Sequence, residues 1–86
     1  PRQLWLQFED MAGYQAAEAE LMELLKSSEG NDQVIIYLKK ERAKKMLPPN
    51  WNVMADAGLL NRLYCKVGEK NVKVVEMTLD KSWKMN

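Results

Sequence analysis

The chain has 86 residues, 47% hydrophobic and 29% charged, a balance that describes one small packed domain and excludes a disordered or low-complexity chain. Thirteen bases against twelve acids leave a formal charge of +1, no footprint for strong nucleic-acid binding by net charge. No histidine and a single cysteine, Cys65, exclude an internal disulfide and the usual zinc sites.

Charge is unevenly spread. Residues 1–30 hold six acids and two bases, whereas residues 31–86 hold eleven bases and six acids, so the molecule should be electrostatically polar. No apolar run approaches the roughly 18 residues needed to cross a bilayer, and nothing at the start reads as a leader. The chain is therefore expected to be soluble and cytoplasmic. Pro1 stands where a natural start would be methionine, which suggests a piece of a longer protein.

In chain order, Leu4, Leu6 and Phe8 alternate with Trp5 and Gln7, a period of two that predicts a strand with one apolar face. From Tyr14 the spacing becomes helical: Tyr14, Ala17, Leu21, Leu24, Leu25 and Ser28 recur on one side, with Glu18, Glu20 and Glu23 mainly on the solvent side and Gly30 as the stop. Residues 34–38, VIIYL, form a β-branched and aromatic run with apolar groups on both faces, which predicts a strand inside the sheet. Residues 39–45, KKERAKK, are too short for a helix and suit an exposed hairpin that returns the chain into Met46 and Leu47, where Pro48 and Pro49 end or offset the strand.

Asp56 and Gly68 stand as N-cap and C-cap around a second helix with apolar positions Leu59, Leu60, Leu63, Tyr64 and Val67. Val72, Val74 and Val75 follow as a last strand with Met77 at its end, and residues 78–86 show no period. The expected fold is therefore α+β, in the order β-α-β-β-α-β. A mixed four-stranded sheet would carry two helices on one face, with a ferredoxin-like arrangement as the best fit. Right-handed crossover makes the first two strands parallel and the hairpin partner antiparallel. Residues 1–77 are one domain and 78–86 a tail.

Little in this chain supports catalysis. Without histidine, Ser27, Ser28 and Ser82 have no activating base, and Cys65, at the margin of the second helix's apolar stripe, reads as a partly buried structural thiol. Glu9 and Asp10 form a carboxylate pair that admits a magnesium reading. The simpler reading is an acidic strand end that favours the next helix through its dipole. Gly13, Gly30, Gly58 and Gly68 never cluster, so no phosphate loop or dinucleotide fingerprint exists. No cofactor is expected.

The sharpest local feature is the basic run. Lys39, Lys40, Arg42, Lys44 and Lys45 against the single Glu41 admit two readings. One is a phosphate contact, with Trp51 or Trp5 stacking on an unpaired base; the other is a charged hairpin that keeps an edge strand from pairing with other chains. Trp5, Trp51 and Trp83 are candidates for core positions or for an exposed protein contact.

LWLQFED at the front, GNDQVIIYLKKERAKKMLPPNWNV in the middle and GEKNVKVVE near the end resemble the extreme C-terminal domain of the bacterial DNA polymerase III alpha subunit, in order, from about Leu4 to Glu76. The resemblance rests on a strand and hairpin pattern. It implies a parent chain that is a replicative DNA-directed DNA polymerase, using magnesium and acidic palm residues that lie outside this fragment. In that family the region follows an oligonucleotide-binding barrel, and in some members it carries the attachment to the tau subunit of the clamp loader. The resemblance thus implies a non-catalytic module that docks or scaffolds within the replisome, with the rest of the polymerase and replisome proteins as partners. The alternative is an auxiliary contact to single-stranded or primer-template DNA through residues 39–45. No membrane and no small-molecule ligand are expected.

Overall fold

The computed structural model describes residues 2–76. Strand β1 (Arg2–Phe8) leads into helix α1 (Met11–Lys26), and β2 (Glu29–Leu38) and β3 (Ala43–Met46) form a hairpin. A short 3-10 turn at Pro49–Trp51 precedes α2 (Ala57–Val67), and a second at Glu69–Asn71 precedes β4 (Val72–Glu76). The tail at 78–86, with Trp83, and Met77 lie outside the described residues.

The four strands make one mixed sheet in the order β3-β2-β1-β4. β1 runs parallel to β2, with Leu4 opposite Val34 and Leu6 opposite Ile36, while β3 and β4 are antiparallel to their neighbours. The α+β class, the element order and the parallel first pair stand as the sequence predicts. The strand order differs from the split ferredoxin-like unit, in which another strand separates β1 from β2. Here β2 itself lies inside the sheet and β3 is the edge. The reason is apolar content: β2 buries Val34, Ile35, Ile36 and Leu38, whereas all four residues of β3, Ala43 to Met46, are exposed. A strand carrying Lys44 and Lys45 is stable at an edge, where its lysines also deter pairing with other chains.

Both helices cover the same face. Leu4, Leu6, Val34, Ile36 and Leu38 point from the sheet into one core with Tyr14, Leu21 and Leu25 of α1 and Leu59 and Leu63 of α2. The helices are bounded by side-chain caps. Asp10 accepts from the Gly13 N–H at 2.9 Å and Asp56 from the Leu59 N–H at 3.0 Å, each satisfying an amide that the helix leaves free. Gly68, at φ 96°, closes α2 in the left-handed region that favours glycine.

Two boundaries depart from the sequence pattern. α1 begins at Met11, before Tyr14, because Asp10 caps it and Gly13 is accommodated in its first turn. It ends at Lys26 with Ser27 as its C-cap, so Gly30 is not its stop. Gly30 lies within β2, where a Cβ would come within 2.5 Å of the Met54 nitrogen and 2.6 Å of the Val53 carbonyl. Glycine is required there because the backbone of residues 53–54 crosses it, with Gly30 N–H donating to the Asn52 carbonyl and Met54 N–H to the Ser28 carbonyl. Asp32 fastens the same crossing, accepting from Arg2 at 2.9 Å and from the Ala55 N–H at 3.0 Å.

Candidate functional site

Alternation along β1 and β2 sends the even-numbered residues into the helix-covered core and the odd-numbered ones to the opposite face. That opposite face has no helix over it among the described residues. The register arranges it in rows across the sheet. Met46, Ile35, Trp5 and Lys73 form the central row; Lys44, Tyr37 and Gln7 form the row toward the hairpin turn; Gln33, Gln3 and Val75 form the row at the other end. Ile35 is only 3% exposed yet stands apart from the helix-side core, so the open face has an apolar floor of its own beside Trp5 and Met46.

The Trp5 ring is held in place. Its indole N–H donates to the Gln3 side-chain oxygen at 3.0 Å, and the Gln3 amide donates in turn to Gln33 across the sheet, also at 3.0 Å. Nearby, the Gln7 amide donates to Asn71 at 3.3 Å, and Asn71 donates to the Val67 carbonyl at 2.7 Å, which fastens β1 to the end of α2. The Lys44 ammonium lies 5.5 Å from the centroid of the Trp5 ring. At an exposed site such a cation-π contact is worth about 0.5–1 kcal/mol, small enough for a competing ligand to displace.

Two shallow hollows flank Trp5. One is lined by Gln7, Tyr37, Lys70, Asn71, Lys73 and Val75, the other by Gln3, Ile35, Lys44, Met46 and Val75, with Trp5 bordering both. Among the described residues their lining therefore contains three lysines and no carboxylate. Helix α1 carries Glu18, Glu20 and Glu23, and Glu20 pairs with Lys66 of α2.

The fold disperses the basic run. Lys44 faces the open side opposite Tyr37, whereas Lys45, opposite Ile36, lies toward the helices and borders a hollow with Met11, Tyr14 and Glu18. Lys39, Lys40 and Arg42 occupy the turn, where Arg42 adopts φ 52° and Lys39 lies 3.7 Å from Glu9. Trp51 does not join them. It packs against the helix-side core and lines a hollow with Leu25, Lys26 and Glu29, at the start of β2. Glu29 and Tyr37 are eight residues apart on one strand, roughly 26 Å by the strand rise. Of the two described tryptophans, Trp5 and not Trp51 stands beside a lysine of the run.

The remaining candidates also find their places. Asp10 is the α1 cap and Glu9 meets Lys39, as the simpler reading of the carboxylate pair has it. Cys65 is exposed on α2, not partly buried, since the helix turns only Leu59 and Leu63 fully inward. Tyr14 is buried beside Glu18; burial first, then the hydrogen bond to Glu18 and its charge, pushes the hydroxyl up to about 12. Among the described residues no group of three metal-ligating side chains converges, and no helix is long and apolar enough to cross a membrane.

Tyr37, Lys70 and Lys73 escaped the reading of the sequence. The signal available was the period of two itself, because Gln3, Trp5 and Gln7 occupy the face that Leu4 and Leu6 do not. Comparison of the chain with protein-family models, with curated proteins and with solved structures finds no match.

Proposed function

We propose that this chain is a non-catalytic interaction module of a replicative polymerase of the DNA polymerase III alpha type, working in the cytoplasm as a binding surface within the replisome. The observation that supports the reading is the sheet face that no helix covers among the described residues. Trp5 and Tyr37 are half-buried there beside the buried Ile35, and Met46 is exposed, while Leu4, Leu6, Val34, Ile36 and Leu38 are packed beneath α1 and α2. A small domain gains stability from covering such a face, so leaving aromatic groups on it is the mark of a surface kept for a partner.

The sequence resemblance supplies the polymerase context. It is tested by reading the coding frame upstream of Pro1. An oligonucleotide-binding barrel and, further upstream, a polymerase palm with its acidic residues are expected; an unrelated open reading frame overturns the assignment. The binding role is tested in the full polymerase carrying Trp5→Ala and Tyr37→Ala. Nucleotide incorporation on a short primed template at saturating concentration should keep its kcat, while retention on long templates with the other replisome proteins falls. A drop in kcat of tenfold or more would place these residues in the reaction itself and overturn the reading, as would unchanged behaviour in both assays.

Docking of a replisome protein such as the tau subunit is the second reading. Met46, 53% exposed at the edge of the open face, favours it, because methionine adapts its shape to an apolar partner. Direct titration of the chain with tau tests it, and no binding at micromolar concentration removes it.

A further inference from the structure

Building on the reading of the chain as an interaction module, we infer that the open face of the sheet binds single-stranded nucleic acid, with bases stacking on Trp5 and Tyr37 and phosphates meeting Lys44, Lys70 and Lys73. Trp5 on β1 lies opposite Ile35, and Tyr37 follows two residues later on β2, so the two rings are diagonal neighbours on one face. Side-by-side rings on a sheet accept the faces of successive unstacked bases, which a duplex keeps hidden between base pairs.

Charge selects this occupant over an apolar peptide. Among the described residues the two hollows beside Trp5 are lined by three lysines and no carboxylate, although the chain as a whole is nearly neutral. Lys44, Lys70 and Lys73 leave a cationic rim beside the aromatic rings. The Lys44 ammonium already rests 5.5 Å from the centre of the Trp5 ring. A base sliding onto that ring displaces a contact weaker than a base stack and frees the ammonium for the phosphate of the same strand.

The amides of the face settle the kind of recognition. Gln3 is bonded to Gln33 and to the Trp5 indole, and Gln7 to Asn71. The Gln3 amide is engaged at both ends in holding the platform. Binding should therefore tolerate sequence, as stacking on a π-face does.

The test is fluorescence anisotropy of the 86-residue chain with labelled thymidine and mixed-sequence single strands of about 12 nucleotides, and with the matching duplex. Both single strands should bind within about threefold of each other and tighter than the duplex, with affinity falling as salt rises. Trp5→Ala with Tyr37→Ala should weaken binding by about tenfold or more, whereas Trp5→Phe keeps most of it. Lys44→Glu with Lys73→Glu should also flatten the salt dependence by roughly 1.4 in the log-log slope. Lys39→Glu with Lys40→Glu, in the turn, should leave affinity within about twofold. Circular dichroism of each variant separates a lost site from a lost fold.

Absence of single-strand binding by the native chain at low salt, a preference for the duplex, or loss through the turn lysines with the Trp5 and Tyr37 variants unchanged each overturns the inference. A parallel titration with tau separates the two levels of the argument. If tau binds through Trp5 and the oligonucleotides do not, the interaction module stands and the nucleic-acid site falls; if neither binds, both fall.

Discussion

The Glu41 carboxylate, at the tip of the basic hairpin, accepts the backbone N–H of Met11, the first residue of α1, at 3.0 Å. The lone acid of the run is thus a helix cap reaching across from another element. Backbone bonds reinforce it, with the Lys39 N–H donating to the Phe8 carbonyl and the Lys40 N–H to the Glu9 carbonyl. The turn is fastened to the end of β1 and to the positive end of α1, which leaves it poorly placed to act as a free phosphate-binding arm.

Glu41→Gln keeps the shape of that contact and removes its charge. A carboxylate at an exposed helix N-terminus contributes about 0.3–1 kcal/mol, so the variant should unfold at slightly lower urea, and added salt should narrow the gap. Parallel urea titrations at low and high ionic strength measure it. A gap that widens with salt would show that the bond acts through packing instead of charge.

Gly30→Ala should be costlier, because the new methyl meets the backbone of Val53 and Met54, which has no side-chain freedom with which to move aside. Overpacking of this kind typically costs about 1–3 kcal/mol. The loss should appear as a lower urea midpoint with an unchanged slope. A midpoint equal to that of the parent would mean that residues 53–54 do not pack against β2 as closely as the structure has them.

The sequence made most of this fold legible where one local rule governed. Asp56 and Gly68 frame α2, and the run at 34–38 declares an interior strand, because capping and hydrophobic pattern each act over a few residues. Gly30 reads as a helix stop in the sequence because a helix stop and a close backbone crossing ask for the same residue, and only the second involves a segment more than twenty positions away. The site divided in the same manner. KKERAKK is a feature of the linear chain, and alternation in β3 sends Lys44 and Lys45 to opposite sides of the sheet. Lys73 joins Trp5 only through the pairing of β4 with β1, and nothing in the local sequence around either residue names that partner.

Ile36 and Tyr37 are adjacent in sequence and opposite in environment. Ile36 is 1% exposed within the core, so Ile36→Ala should cost roughly 2–5 kcal/mol through lost burial and the cavity left behind. Tyr37 is partly exposed on the open face, and Tyr37→Ala should cost well under half as much. Thermal melts of the two variants make the comparison. Equal losses would mean that the open face is covered in solution, and an unchanged melt for Ile36→Ala would show β2 to be out of register.

Tyr14 gives the fold a dependence on alkaline pH whose sign follows from its surroundings. Its hydroxyl donates to Glu18 at 2.9 Å from a buried position, and burial is the main reason that its pKa rises to about 12 from an ordinary value near 10. Between those values the unfolded chain gives up the tyrosine proton while the folded chain retains it. The folded state then binds more protons than the unfolded state, so stability falls as pH rises through this window, and below pH 10 the contribution is fully present. Tyr14→Phe removes the titrating group. The difference in unfolding free energy between parent and variant should therefore be constant from pH 7 to about 9.5 and shrink from about pH 10 upward. Lysines deprotonate in the same range in both proteins, so the difference, not either curve alone, isolates Tyr14. A difference that stays flat to pH 11.5 would mean that the hydroxyl is solvated and that Glu18 is not its partner.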